Sequence, residues 1–267
     1  MLNVRKIIDF FAGRKFLQPL YEWMFRAGVY GMNYGTGGNK FRNSGELFVA
    51  DYICNQFKHS GTTLVLFDVG ANLGKYAIHL SNAMKQLPFR MYAFEPSKII
   101  FNELKKNTAN ESRIVPYNTG LGAMTEERIL YKRSDLSGLS SVYQRRLEHF
   151  KIDMSIQESI SITTVDEFCR LNNISHIHFL KLDIEGHEFF CLEGAAEMMK
   201  QKKIDFIQFE FGGCNIDSRT YFQDFWYLLK DQYNIYRIVR DGLVQIHQYN
   251  ERLEIFKNIN FLAELKK

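Results

Sequence analysis

Four acidic residues stand where apolar runs of strand length stop. Asp68 follows Leu64-Val65-Leu66-Phe67, Glu95 follows Met91-Tyr92-Ala93-Phe94, Asp183 follows Ile177 to Leu182, and Glu210 follows Ile204 to Phe209. In an open parallel sheet the ligand crevice lies beyond the carboxyl ends of the strands, so these acids would share one mouth. Asp68 opens the turn Asp68-Val69-Gly70-Ala71-Asn72-Leu73-Gly74. Gly70 permits a sharp turn and close backbone approach, Asn72 is placed to cap the following helix, and Gly74 lets that helix lie close to the strand. A dinucleotide site would use G-x-G-x-x-G to aim a helix N-terminus at a pyrophosphate, and that pattern is absent. An acid sits where the phosphate would go, which suits an ammonium or sulfonium. Glu95, one helix and one strand further on, can accept both hydroxyls of a ribose. Together these residues point to S-adenosyl-L-methionine. Its methionine end would lie at Gly70, Ala71, Asn72 and Gly74, its ribose at Glu95 with Pro96, and its adenine near the turn Asn118-Thr119-Gly120-Leu121-Gly122. A flavodoxin-like sheet with ordinary capping residues at its strand ends is the plain alternative.

The second informative segment is Lys181-Leu182-Asp183-Ile184-Glu185-Gly186-His187-Glu188. Methyl transfer to oxygen is an in-line displacement, so alignment of the reactants supplies most of the acceleration. A hydroxyl still needs a base to take its proton. His187, with an intrinsic pKa of about 6.5, is the expected base, although a capping or structural histidine is the bland reading. Asp183 is expected to position the methyl donor or hold the acceptor hydroxyl, and Glu210 to orient His187 or the acceptor. Asp183, Glu185, His187 and Glu210 also resemble an oxygen-rich metal set. Strand-end carboxylates more often serve as ligand or cap groups, so no metal is expected.

The elements that would carry these residues follow from periodicity. Short apolar runs alternate with helix-length polar segments from Thr63 onward, which calls for parallel strands joined by helical crossovers. Ile114 to Tyr117 adds a strand, and Tyr233 to Val239 with Leu243 to His247, split by Asp241-Gly242, reads as a hairpin. A last short strand is expected at Ile259 to Leu262. The expected fold class is α/β, a mostly parallel seven-stranded sheet with helices on both faces and antiparallel strands at its C-terminal edge. Residues 1–45 form a helical N-terminal extension and residues 46–267 the domain. Ile7, Phe10, Phe11, Leu17, Tyr21 and Met24 recur near the helical period, the glycine-rich stretch Gly28 to Gly38 follows, and Glu46 to Phe57 reads as a second helix. Lys132 to Glu158 reads as acceptor-pocket loop.

The ordered motifs Ser44-Gly45-Glu46, FDVGANLGKY (67–76), YAFEPS (92–97), SGLSS (137–141), TTVDEF (163–168), KLDIEGHE (181–188) and FIQFEF (206–211) resemble the FkbM family of S-adenosylmethionine-dependent methyltransferases. The resemblance spans roughly residues 44–265. It implies a class I methyltransferase, Rossmann-like fold and, usually, O-methylation of hydroxyls on sugars or natural products. It places cofactor binding on Asp68, Gly70, Ala71, Asn72, Gly74 and Glu95. Pro96, Thr119, Gly120 and Asp183 complete the expected cofactor set. Glu46 is expected to reach over the methionine end, or to be an acid favoured at a helix start, and Ser137 to Ser141 to form a loop near the pocket.

Composition narrows the classes. With 46% hydrophobic and 24% charged residues the chain is of globular type. A formal charge of +4 over 267 residues does not announce a nucleic-acid partner. An amine-methylating enzyme would show an [Asp/Asn/Ser]-Pro-Pro-aromatic signature where this chain has Asp183-Ile184-Glu185-Gly186. Cys54, Cys169, Cys191 and Cys214 are far apart and read as reduced thiols; with neither a spanning segment nor a secretory signal, the expected location is the cytoplasm. Arg5, Lys6, Arg14 and Lys15 accompany Phe10, Phe11, Phe16 and Phe25, so the N-terminal helix packs on its own domain, on a second subunit in a homo-oligomer, or peripherally on an anionic membrane. A non-catalytic binding or assembly module with the same fold, and an N-methyltransferase, are the rival functions.

Overall fold

The computed structural model describes residues 9–36, 41–133 and 138–267. Arg5, Lys6, Ile7, Ser137 and the end of the glycine-rich stretch lie outside these residues. Strands β1 (Leu64–Val69), β2 (Phe89–Phe94) and β3 (Ile114–Tyr117) come first, then β4 (Gly120–Leu121), β5 (Glu126–Lys132), β6 (Ser140–Ser141) and β7 (Ile156–Thr163). They are followed by β8 (Ile177–Leu182), β9 (Ile204–Phe211), β10 (Tyr233–Val239), β11 (Gly242–Ile246) and β12 (Ile259–Leu265). The helices are α1 (Gln18–Gly31), α2 (Phe41–Ser44), α3 (Glu46–Phe57), α4 (Lys75–Ala83), α5 (Lys98–Asn107), α6 (Val165–Leu171), α7 (Glu188–Glu193), α8 (Ala196–Lys200), α9 (Cys214–Ser218) and α10 (Phe222–Leu229).

The main sheet runs β11-β10-β12-β9-β8-β1-β2-β3. Its core from β3 to β9 is parallel, and β12 pairs antiparallel with both β9 and β10. This is the expected Rossmann-like α/β architecture with one more strand than the seven expected, because β11 continues the antiparallel edge. Val239 pairs with Gly242, so the two-residue hairpin turn is Arg240-Asp241, one place earlier than the Asp-Gly signal suggested, and Gly242 already belongs to the strand. From β1 the chain steps to β2 and β3 on one side and later to β8 and β9 on the other. The order reverses at β1, and a crevice opens beyond the carboxyl ends there.

Strand alternation sorts the core. Val65, Phe67 and Val69 face one apolar cluster with Phe168 of α6, Leu192 of α7 and Phe222 and Phe225 of α10. Leu64 and Leu66 face the other, with Val49 and Ile53 of α3, Leu80 of α4 and Leu104 of α5. On this second face the strands turn polar toward their carboxyl ends. Asp68 is in register with Lys181, and Lys181 with Gln208, in one row across the three central strands. All three are buried. Strand β9 extends to Phe211, so Glu210 lies inside the strand rather than after it.

Residues 120–163 contain a second sheet, β4-β7-β5-β6, whose strand β6 and the start of β7 fall in the Lys132 to Glu158 stretch expected to be loop. β5 and β7 pair antiparallel from Glu126 opposite Ile162 to Lys132 opposite Ile156, and Leu130, Ile160 and Ile162 form a small core of their own. Glu158 ties this sheet to the start of α5, accepting from the Ser97 hydroxyl at 2.7 Å, the Lys98 N–H at 2.8 Å and the Lys132 ammonium at 2.8 Å. The Asn118-to-Gly122 turn expected to hold adenine is partly strand, since Gly120 and Leu121 pair with Ile162 and Thr163.

Phe225 stacks on Phe209 with centroids 4.7 Å apart, on the sheet face away from the polar row. Phe225→Ala is expected to lower stability by about 3–5 kcal/mol, read from urea unfolding followed by circular dichroism.

Candidate functional site

One cavity of about 910 Å³ opens at the carboxyl ends of β1, β2 and β8, and the second sheet closes it from above. Gly70, Ala71, Asn72 and Tyr76 form one wall, Glu95, Pro96, Gly120 and Leu121 another, and Asp183, Glu185 and His187 a third. Glu46, Lys181, Glu210 and Asn260 reach it from α3 and the strands, and Leu130, Ile160 and Ile162 contribute an apolar ceiling. Asp68, Gly74 and Thr119 do not line it.

The turn after β1 depends on Gly70. Its φ is +83°, and a Cβ there would lie 1.9 Å from the Asp183 carbonyl oxygen, so no other residue lets the two strand ends approach this closely. Gly74 (φ +78°) has a different partner from the one expected: a Cβ would press on Leu104 and Thr108, so its close approach is to α5 rather than to the strand. Asn72 is not the helix cap. Gly74 holds the N-cap position of α4, and the Asn72 side chain accepts from the Leu73 N–H at 2.7 Å. The Asn72 N–H donates to Glu95 at 3.1 Å and the Ser97 N–H donates to the other carboxylate oxygen at 2.9 Å. Burial pushes Glu95 up to about 7, against these two donors.

Behind this wall lies a residue that sequence reading passed over. Lys181 is fully buried, and its ammonium donates to Asp183 at 3.0 Å, sits 3.8 Å from Asp68 and lies 4.6 Å above the Tyr76 ring. Burial alone would lower its pKa, but the charges of Asp183, Asp68 and Glu46 raise it above the ordinary lysine value. Asp68 is raised by burial to about 6 against the pull of Lys181, and neither of its oxygens has a hydrogen-bond donor. It is the counter-ion of Lys181 beneath the cavity floor, not a wall residue. A lysine at an alternate position of an otherwise apolar strand was the available signal, because period-two alternation puts Lys181 on the same face as Phe179 and Asp183. Asp183 is the open acid, its side chain 39% exposed. Glu46 begins α3, accepts from the Ser44 hydroxyl at 2.9 Å, is raised by burial and lines the cavity.

The loop 183–187 is gripped from both sides. From below, the fully buried carboxylate of Glu188 accepts from the Ile184 and Gly186 N–H groups, each at 2.9 Å. From above, the Ser141 hydroxyl donates to the Glu185 carbonyl at 2.7 Å, Arg145 pairs with the Glu185 carboxylate, and the Tyr143 hydroxyl is hydrogen-bonded to His187 Nδ1 at 3.0 Å. His187 Nε2 is buried without a partner, packed against Gly122. Burial, reinforced by the charge of Arg128, lowers the imidazole to about 4, so it is neutral at physiological pH and neither nitrogen is free toward the cavity. Glu210 does not meet His187. It accepts from Asn258 at 3.2 Å, and burial together with Asp183, Glu185 and Glu188 raises it well above the usual carboxylate range.

The acids that come together here differ from the expected metal set. Ligand atoms of Glu185, Glu210 and Cys214 lie within 4.8 Å of one another, and Glu185 already has a protein cation in Arg145. At the other end of β8, His176, His178 and Asp205 form a second such group that sequence spacing did not reveal. There the Val65 N–H donates to His178 Nδ1, which leaves the ring proton on Nε2.

Comparison with known proteins fits this arrangement. Residues 68–237 match the family model of the methyltransferase FkbM domain. The hexuronic acid methyltransferase AglP of Haloferax volcanii is 25% identical over 151 residues, covering 55% of this chain and 56% of that protein. A methyltransferase FkbM from Methylobacillus flagellatus KT aligns at 17% identity and a TM-score of 0.45 over 79% of this chain and 47% of its own. The precorrin-6y C5,15-methyltransferase of Geobacter metallireducens GS-15 aligns at 10% identity and a TM-score of 0.42, over 82% and 87%. The chain thus spans about half the length of the first two.

Burial of ionisable acids gives a signed expectation. Glu95 and Glu188 have folded pKa values raised to about 7 and about 8 from 4.5. The native state therefore holds extra protons between pH 4.5 and 8, and their stabilising contribution, full below pH 4.5, is lost as pH rises through 7 to 8. The ligand-free protein should melt at a higher temperature at pH 6 than at pH 8, and Glu188→Gln, which keeps an uncharged group there, should shrink that difference in differential scanning calorimetry.

Proposed function

Because the chain belongs to the FkbM methyltransferase domain family, we propose that it methylates a hydroxyl oxygen of a sugar or glycan-like acceptor, with S-adenosyl-L-methionine as donor. The observation that carries the reading is that the turn 70–72 and Glu95 share one enclosed space with the open carboxylate of Asp183. The cavity fits such a donor by its chemistry. Its first two walls offer backbone, the Glu95 carboxylate and the Tyr76 hydroxyl, which is buried without a protein partner, and the Leu130, Ile160 and Ile162 ceiling gives an aromatic base an apolar surface. When bound, the donor supplies a methyl carbon made electrophilic by its cationic sulfur.

Glu95 and Pro96 hold the ribose side, with Gly120 and Thr119 beyond. Gly70, Ala71, Asn72 and Glu46 hold the amino-acid side. Gly74 sets the path of α4 and Asp68 acts through Lys181. The acceptor oxygen forms its bond to carbon as the carbon–sulfur bond breaks, and the hydroxyl proton must leave. We place that proton on Asp183. Lys181 holds one oxygen of Asp183, whose exposed side meets the cavity. His187, whose Nδ1 is hydrogen-bonded to Tyr143 and whose Nε2 is buried against Gly122 without a partner, positions the Tyr143 strap. Glu210, whose pKa burial raises well above the usual carboxylate range, lines the cavity where the acceptor would lie. A sugar acceptor is favoured by the likeness to a hexuronic acid methyltransferase.

Isothermal titration calorimetry with S-adenosyl-L-methionine tests the cofactor half: Glu95→Gln should weaken binding about tenfold or more, and undiminished affinity would reject the site. For the chemical half, Asp183→Asn should lower kcat about 10²- to 10⁴-fold on a glycan panel assayed with methyl-labelled donor, with donor affinity changed little, while His187→Ala lowers it less. Tight donor binding with no transfer to any hydroxyl would turn the reading toward a non-catalytic module.

A further inference from the structure

Helix α1 carries an apolar surface that the domain does not cover. Leu20, Trp23, Met24, Ala27 and Tyr30 follow one another at i, i+3, i+4, i+7 and i+10 and are all exposed, Trp23 at 65% and Tyr30 at 69%. Phe16, in the turn just before the helix and 75% exposed, extends the patch. The buried residue of the helix is Val29, which 3.6-residue geometry places on the side opposite Leu20 and Ala27, so the stripe faces away from the protein. Scattered exposed apolar side chains are ordinary, but a contiguous patch of this kind marks a contact surface. The helix is nevertheless rooted. Asn33 donates to the carbonyls of Ser44 and Ile238 at 3.3 Å each, Tyr34 is buried, and the Gly35 N–H donates to the carbonyl of Asn258 at 2.9 Å. Asn258 lines the cavity, so the apolar helix springs from the cavity rim.

We propose that this face lies in the interface of an anionic lipid bilayer. Charge complementarity selects that occupant. Arg14 and Lys15 stand just before the helix and have no carboxylate partner among the described residues, and Arg26 pairs with Glu22 at 3.6 Å with both side chains exposed. Trp and Tyr, each with an apolar body and a polar edge, suit the boundary between water and acyl chains. The patch runs on past the helix start to Phe16, next in sequence to Arg14 and Lys15, so apolar and cationic groups lie together as an anionic interface requires. Among the described residues no helix is long and apolar enough to cross a membrane, so the contact is a surface one that would hold the cavity mouth near the bilayer plane.

Co-sedimentation of the full chain with vesicles of phosphatidylcholine and phosphatidylserine tests this. The wild type should pellet with vesicles containing phosphatidylserine and much less with phosphatidylcholine alone. Arg14→Gln with Lys15→Gln should weaken partition about 25-fold at low salt, roughly fivefold for each charge removed. Leu20→Ser with Trp23→Ser should weaken it roughly tenfold or more, and both variants should keep the wild-type circular dichroism and melting curve. No pelleting with anionic vesicles overturns the proposal, as does binding indifferent to both double variants. A dimer in sedimentation velocity that the Leu20/Trp23 variant dissolves, without vesicle binding by the wild type, overturns it in favour of a second copy. None of these readouts depends on methyl transfer.

Discussion

A buried ammonium organises this molecule. Removing the charge of Lys181 from water costs several kcal/mol unless carboxylates stand close, and Asp68 on β1, Asp183 at the end of β8 and Glu46 at the start of α3 surround it. Three elements distant in the chain must therefore converge on one point. That convergence brings the ends of β1 and β8 together so closely that Gly70 must be a glycine. It also spends Asp68 as a structural counter-ion and leaves Asp183 as the acid facing the cavity. A sheet face that starts apolar with Leu64, Leu66 and Phe179 thus ends in a polar row where a ligand can use it.

The second sheet completes what the first begins. Glu158 fastens it to the helix after β2, and the segment from Ser141 to Arg145 clamps the 183–187 loop through a hydroxyl, a phenol and a guanidinium. The clamp explains why His187 is so deeply held. It also encloses several carboxyl groups whose pKa values burial has raised.

Helix α1 stands apart from this economy. Its contribution to the core ends with Val29 and Tyr34, and the remaining apolar side chains are turned outward at a free-energy cost that contact with a lipid surface would recover. Because its root is hydrogen-bonded to the cavity rim at Asn258, the direction in which the helix leaves the domain also sets which way the cavity faces.

Much was legible in the chain. Short apolar runs ending in acids announced β1, β2, β8 and β9, and the glycine turn and Glu95 announced one wall of the cavity, because period-two burial and φ > 0 geometry are local requirements written in residue type. The sheet at 120–163 was not, although Ile156, Glu158, Ile160 and Ile162 alternate: strands of mixed polarity declare themselves only once a partner covers one face. Local spacing placed His187, Asp183 and Glu210 at one mouth, but which of them is open, which is buried beside Asn258 and which is clamped depends on neighbours from remote segments, such as Tyr143, Asn258 and Gly122. Residue types by themselves determined that a parallel sheet would present acids to a ligand at its carboxyl edge. Only the tertiary structure decided that Lys181 buries Asp68 as a counter-ion and holds one oxygen of Asp183 while Asp183 keeps an exposed side toward the cavity, since burial and Coulomb energies depend on distances that sequence order does not contain.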